Sequence, residues 1–111
     1  MRKSVKNMDY EVILTHPAKA QLDYAVNYIL CEFESEQAAR SVIDDAEDTR
    51  LRLSHVAGSL KLCDDPKLCA LGYRTIHFKR HKYFMLYRIE GDKVYVDGIY
   101  HDSQDYENIT R

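Results

Sequence analysis

No apolar run in this 111-residue sequence approaches the roughly 18 residues that a membrane-spanning helix needs. The chain is therefore expected to hold no transmembrane helix and to have no membrane partner. The opening stretch MRKSVKN is basic but leads into no apolar segment, so no signal peptide is read there. Residues 1–7 read as a basic arm, with Met8 as an alternative start. Paired cysteines are also missing. Cys31, Cys63 and Cys69 are odd in number, and their spacings fit no paired metal motif. They read as free thiols in a reducing, cytoplasmic setting. His77, His81 and His101 come nearest to a zinc set, but His77 and His81 flank a hairpin and no fourth ligand converges on them. Neither a metal nor a cofactor is expected.

A positive excess is the third absence. The formal net charge is −2, whereas proteins that grip nucleic acid through its phosphates usually carry a clear surplus of Lys and Arg. Basic charge is instead local. Between Tyr73 and Arg88 stand Arg74, Lys79, Arg80, Lys82 and Arg88, with two histidines and no acid.

What remains is the composition of a globular protein, with 45% hydrophobic and 31% charged residues. One domain, spanning residues 8–109, is expected to build its core without disulfides. MDYEVILT (8–15) alternates as a short strand. THPAKAQL then starts a helix, with Thr15 or His16 near the cap and Pro17 in the first turn. Ala18, Leu22, Ala25, Ile29 and Phe33 form its apolar stripe. Ser35 caps a second helix, whose stripe runs through Ala39, Val42, Ile43, Ala46 and Leu53 to about His55. The break at Glu34–Ser35 makes the two an antiparallel hairpin. Residues 58–72 read as a loop.

Three strands follow: YRTIHF (73–78), YFMLYRIE (83–90) and KVYVDGIYH (93–101). Gly91–Asp92 forms the last turn, and glycine in first place suggests type II′ geometry. With an unbroken register, Ile89 faces Val94 and Tyr83 faces Tyr100. Tyr83, Met85, Tyr87, Ile89, Val94, Val96, Gly98 and Tyr100 then pack on the helices. Phe84, Leu86, Arg88, Tyr95, Asp97, Ile99 and His101 lie on a partly open face. The expected fold is α+β, an N-terminal strand and a helical hairpin packed on a small, mainly antiparallel sheet.

The stretch GYRTIHFKRHKYFMLYRIEGDKVYVDGIYHDSQDYENI resembles the C-terminal half of the RelE/ParE toxin superfamily of bacterial toxin–antitoxin modules. A YR strand, a basic hairpin, a Y-x-x-x-Y-R strand and a V-x-x-I-x-H-x-x-x-D-Y ending recur in that family. The resemblance covers about residues 8 to 109. It implies a small cytoplasmic toxin held inactive by a cognate antitoxin, touching DNA only through that partner. RelE-like members cut messenger RNA on the ribosome, without metal, and the acid-free basic segment makes such a ribosome-dependent endonuclease the first expectation; the alternatives are a ParE-like member, which poisons DNA gyrase, and a detoxified, partner-binding relative.

RNA cleavage through the 2′-hydroxyl needs proton transfer and a cation to stabilise the transition state. His101 and Tyr106 are the candidate proton-transfer pair, with Arg88 and Arg74 as catalytic cations. His77, Lys79, Arg80 and Lys82 are candidates for binding RNA or another target. The sequence departs from the nuclease pattern at Phe84, where an arginine is common, and at Asp102–Asp105, where basic residues are. Structural readings stand beside these roles: Tyr106 as a packing tyrosine, and Arg88 paired with Asp97. Phe84, Leu86, Tyr95 and Ile99 are the expected antitoxin-docking residues.

Overall fold

The structure, a computed structural model, describes residues 9–103. In chain order it holds β1 (Glu11–Leu14), α1 (His16–Phe33), α2 (Glu36–Val56), a short 3-10 turn (Ala57–Ser59), α3 (Pro66–Ala70), β2 (Arg74–His77), β3 (Tyr83–Glu90) and β4 (Lys93–His101). The sheet order is β1-β4-β3-β2, with β1 parallel to β4 and the other pairs antiparallel.

Thr15 sits at the cap of α1 in extended conformation, but its side chain does not cap the helix. Its hydroxyl donates to the Val96 carbonyl at 2.9 Å, as does its own amide at 3.0 Å, which fixes the helix start to the central strand. The helix stops where Glu34 turns left-handed, at φ 49°. Ser35 then caps α2 by accepting from the Ala38 amide at 3.0 Å, so the helices fold back on each other.

The apolar stripes hold over most of their length. Ala18, Ala25, Ala39, Val42, Ala46 and Leu53 are buried, and Leu22 and Ile29 pack against the core. Phe33 and Ile43 do not follow. Phe33 lies in the last turn of α1, 65% exposed, with its ring edge-on to Tyr28. Ile43 is rotated about 100° from Val42 around the helix, and further along α2 the polar Asp45 and Thr49 face inward beside Ala46 and Leu53.

The expected register fails at one point, and that point sorts the sheet. From Glu90–Lys93 to Tyr87–Val96 the pairing is as expected, but Leu86 pairs with Gly98, leaving Asp97 as the extra residue of a β-bulge. Beyond it every β4 side chain changes face. Ile99 pairs with Met85 and is buried beneath the helices; Gly98 and Tyr100 move to the opposite face. Tyr83 therefore faces His101 rather than Tyr100. The turn at Gly91–Asp92 has positive φ (66°) at Gly91 and not at Asp92, as type II′ geometry requires.

The opposite face is less open than its sequence suggests. Residues 58–72 are not only loop. Pro66 opens α3, Asp65 caps it by accepting from the Leu68 amide at 3.1 Å, and Leu68 and Cys63 cover Leu86, with Tyr73 and Tyr100 packed around them. Phe84 is 2% exposed and Leu86 3%, so neither can offer a docking surface, and Ile99 cannot because the bulge turns it inward. Gly98 leaves room for the Tyr100 ring, which a Cβ at that position would strike.

In the unbroken register Ile99 would stand on the partly open face, where truncation is nearly free. With the bulge, Ile99→Ala is expected to cost about 2–4 kcal/mol of stability. Urea denaturation monitored by circular dichroism measures this; a loss below about 0.5 kcal/mol, typical of surface sites, contradicts the register.

Candidate functional site

The catalytic residues expected from the sequence are not assembled in one place. Arg88 projects from the face away from the helices. Its Nε donates to Asp97 Oδ2 at 2.7 Å, its Nη1 pairs with Glu90, and its guanidinium lies 4.7 Å from the centre of the Tyr95 ring. The Tyr73 hydroxyl donates to the same Asp97 oxygen at 2.6 Å. Burial, then this hydrogen bond to a carboxylate, pushes the Tyr73 phenol above its ordinary value. Tyr95, half-buried under Arg88, is the one residue of the expected docking set that is not buried.

Arg74 faces the helix side, where its Nη1 donates to the carbonyls of Gly58 (3.0 Å) and Leu60 (2.7 Å) and so clamps the segment after α2. Nearby, the buried Tyr87 hydroxyl donates to the Ala57 carbonyl at 2.8 Å, and burial pushes its pKa up to about 12. His101 stands beyond the bulge on the helix side, edge-on to Tyr83 at 5.3 Å, with Nδ1 accepting from the Ser103 amide at 3.1 Å. Arg88 and His101 thus lie on opposite faces, against the expectation of a shared one. Tyr106 lies outside the described residues.

The basic hairpin between β2 and β3 has a firm anchor that the sequence reading missed. Asp45, wholly buried on α2, accepts from the amides of Arg80 (2.9 Å) and Lys79 (3.3 Å) and from His81 Nδ1 (2.9 Å). The Ser41 hydroxyl lies 3.4 Å from His81 Nε2. Burial alone would raise the Asp45 pKa. The His81 hydrogen bond, the two amides and the Arg80 charge outweigh it and hold the carboxyl below its ordinary 3.8. The available signal was positional. Asp45 follows Val42 by three residues and precedes Thr49 by four, within the inward stripe. Arg80 itself pairs with Asp48 at 2.9 Å, and His77 Nδ1 lies 3.4 Å from Asp102. Among the described residues, neither Lys79 nor Lys82 has a carboxylate within ion-pair distance of its ammonium group.

Two grooves flank this frame. One, of about 450 Å³, runs between α1 and the ends of β3 and β4, lined by Gln21, Tyr24, Tyr28, Tyr83, Tyr100 and His101 among others. Its rim is aromatic, with Tyr24 73% and Tyr28 50% exposed. The other, of about 360 Å³, lies between α2 and the basic hairpin, lined by Asp48, Leu51, Arg52, His55, Lys79 and Arg80. Among the described residues no group of three or more His, Cys, Asp or Glu is placed to hold a metal, and no helix is long and apolar enough to cross a membrane.

The sequence model of the family described as ParE toxin of type II toxin–antitoxin system, parDE, matches residues 12–106. No curated protein matches the sequence. Among solved structures, a chain of the chromosomal ParDE toxin–antitoxin system from P. aeruginosa is similar in fold. Its TM-score is 0.69 at 22% identity, covering 85% of this chain and 97% of that one. A chain of the toxin–antitoxin complex RelBE2 from Mycobacterium tuberculosis is also similar, with TM-score 0.56 at 20% identity, covering 84% of this chain and 98% of that one.

Because the folded-state pKa of Asp45 is lowered, its contribution to stability is present above about pH 3.8 and is lost as pH falls through the lower folded value. Asp45→Asn is expected to cost about 3 kcal/mol at pH 7, where it leaves His81 and the hairpin amides without their charged acceptor. The gap to wild type should narrow below pH 3.8. Denaturation at a series of pH values measures both; a gap unchanged down to about pH 2 contradicts the assignment.

Proposed function

The chain belongs to the family of ParE toxins of type II toxin–antitoxin systems, and from that premise we propose that it arrests growth by binding a protein target, DNA gyrase, rather than by cutting RNA. The observation that carries this reading is the use of the arginines. Arg88 is held by Asp97 and Glu90, Arg80 by Asp48, and Arg74 by two backbone carbonyls. An RNA-cleaving site needs such cations aimed at a phosphate that carries developing charge. Here they brace the fold, and His101, at the end of β4, is on the other face from Arg88. The net charge of −2 agrees with a protein target more readily than with ribosomal RNA.

The partner in this reading is a cognate antitoxin, and its docking ground is the aromatic groove along α1. Phe84, Leu86 and Ile99 are buried, which removes three of the four residues expected for that role. Tyr24 and Tyr28 stand one helical turn apart on the exposed side of α1 and lead into the groove ending at Tyr83 and His101. Large, partly exposed aromatic rings beside a concavity are the usual anchors of a protein interface, and an apolar segment of the antitoxin would fill it.

Induced expression without the antitoxin is expected to arrest growth with messages intact, and His101→Ala is expected to leave the arrest unchanged. Mapping of RNA ends in the arrested cells checks this. Cleavage at ribosome-bound messages that disappears in His101→Ala would overturn the reading in favour of a nuclease. Tyr24→Glu/Tyr28→Glu is expected to weaken antitoxin binding by about 30-fold, the effect of losing a central aromatic anchor. Titration of the purified partners measures it; an unchanged Kd places the antitoxin elsewhere.

A further inference from the structure

The second groove has no role in the antitoxin contact just described. Its floor is Leu51, 50% exposed on α2. Its lining holds three cations, Lys79, Arg80 and Arg52, and one carboxylate, Asp48; because Asp48 offsets the Arg80 charge, Lys79 and Arg52 make up its positive surplus. Arg52 is held in place by donating to the His77 carbonyl at 2.7 Å, and Arg80 is shared between Asp48 and, at 3.9 Å, Asp45. The Lys79 ammonium has no carboxylate partner among the described residues.

The rim is also preset. Burying a carboxylate is costly unless every lone pair is engaged, and an apolar replacement is often as stable. Asp45 nonetheless binds three donors of this single hairpin, and at the other end of the turn the Asp102 amide donates to the Lys82 carbonyl at 2.8 Å. The hairpin therefore meets a partner without first being ordered, which lowers the entropic cost of binding.

We propose that the groove between α2 and the hairpin, floored by Leu51 and rimmed by Lys79, Arg80 and Arg52, receives an acidic segment of the toxin's protein target. Asp45 acts as the positioning residue that holds the rim. The charge pattern selects a protein over a nucleic acid. The groove's lining sets the carboxylate of Asp48 and the apolar Leu51 beside the cations, which suits a single carboxylate on an apolar stem better than a run of phosphates. A peptide carboxylate needs only the rim, and its apolar stem covers Leu51.

The inference rests on the reading of the chain as a toxin with a protein target, and the test separates the two. Lys79→Glu/Leu51→Glu changes two exposed side chains and should leave folding and the antitoxin Kd unchanged. Three quantities are compared with wild type: growth arrest on induction, binding of purified DNA gyrase to the purified toxin, and RNA ends in the arrested cells. The expected result is loss of arrest together with at least about tenfold weaker gyrase binding, as for reversal of a charge at an interface. Asp45→Asn should weaken gyrase binding at a temperature where it remains folded while keeping the antitoxin Kd, a split that a merely structural residue would not produce. If wild type arrests growth without binding gyrase, the gyrase reading fails. The groove is then judged on arrest alone, and loss of arrest in the double variant still supports it. Arrest equal to wild type in the double variant overturns the groove even where gyrase is bound. Loss of RNA cleavage in the double variant would make the occupant a nucleic acid and overturn it as well. Absence of arrest in wild type overturns both.

Discussion

The two hydrogen bonds that Asp97 accepts, from Arg88 and from Tyr73, hold the extra residue of β4 in place, and the sorting of the sheet follows from it. A one-residue change of register moves each later side chain to the other face. Ile99 thereby enters the core between sheet and helices, and Tyr100 packs with Leu86 beneath α3 and against the Phe84 ring. His101 comes to stand beside Tyr83, at the end of the groove along α1. Charge-assisted bonds of this kind are stronger than neutral ones, and they lie where the strand needs a brace against straightening. The same pair withdraws Arg88 from any role that requires a free cation.

Asp45 plays the corresponding part on the helix side. It couples α2 to the hairpin between β2 and β3, an element that would otherwise hang from the sheet by its two strands. The basic segment that looks, in one dimension, like a continuous positive surface is divided by these internal uses. Its arginines hold carboxylates and carbonyls, and the lysines at its tip are left to the surface. A local surplus of Lys and Arg in sequence is thus a poor measure of the field outside the protein when acids from another element fold against it.

Where short-range rules decide the structure, the sequence was legible. Ser35 as a cap, Pro17 in the first turn of α1, the Glu34–Ser35 break and the Gly91–Asp92 turn each depend on a few adjacent residues, and each is found where expected. The α+β architecture followed from the order of those elements. The bulge was not legible, because VYVDGIYH alternates equally well with or without an extra residue, and the choice is made by Arg88 on β3 and Tyr73 just before β2. Asp45 was hidden for the same reason. A carboxylate on an apolar stripe is buried only if distant donors converge on it, and its donors come 34 to 36 residues later. Leu86 looked exposed because the segment that covers it, with Cys63 and Leu68, is rich in turn-forming residues and shows little periodicity.

These features describe a toxin-family domain whose charged side chains stabilise a shape; in the proposed reading its aromatic and cationic grooves are the means of recognition. The account's central claim is that the chain acts by binding a protein and not by chemistry on RNA. The most direct measurement is the supercoiling activity of purified DNA gyrase with increasing purified toxin, run beside translating ribosomes programmed with a defined message. The account predicts dose-dependent loss of supercoiling, restored by the antitoxin, with the message intact. Undiminished supercoiling with cleavage of the ribosome-bound message would contradict it.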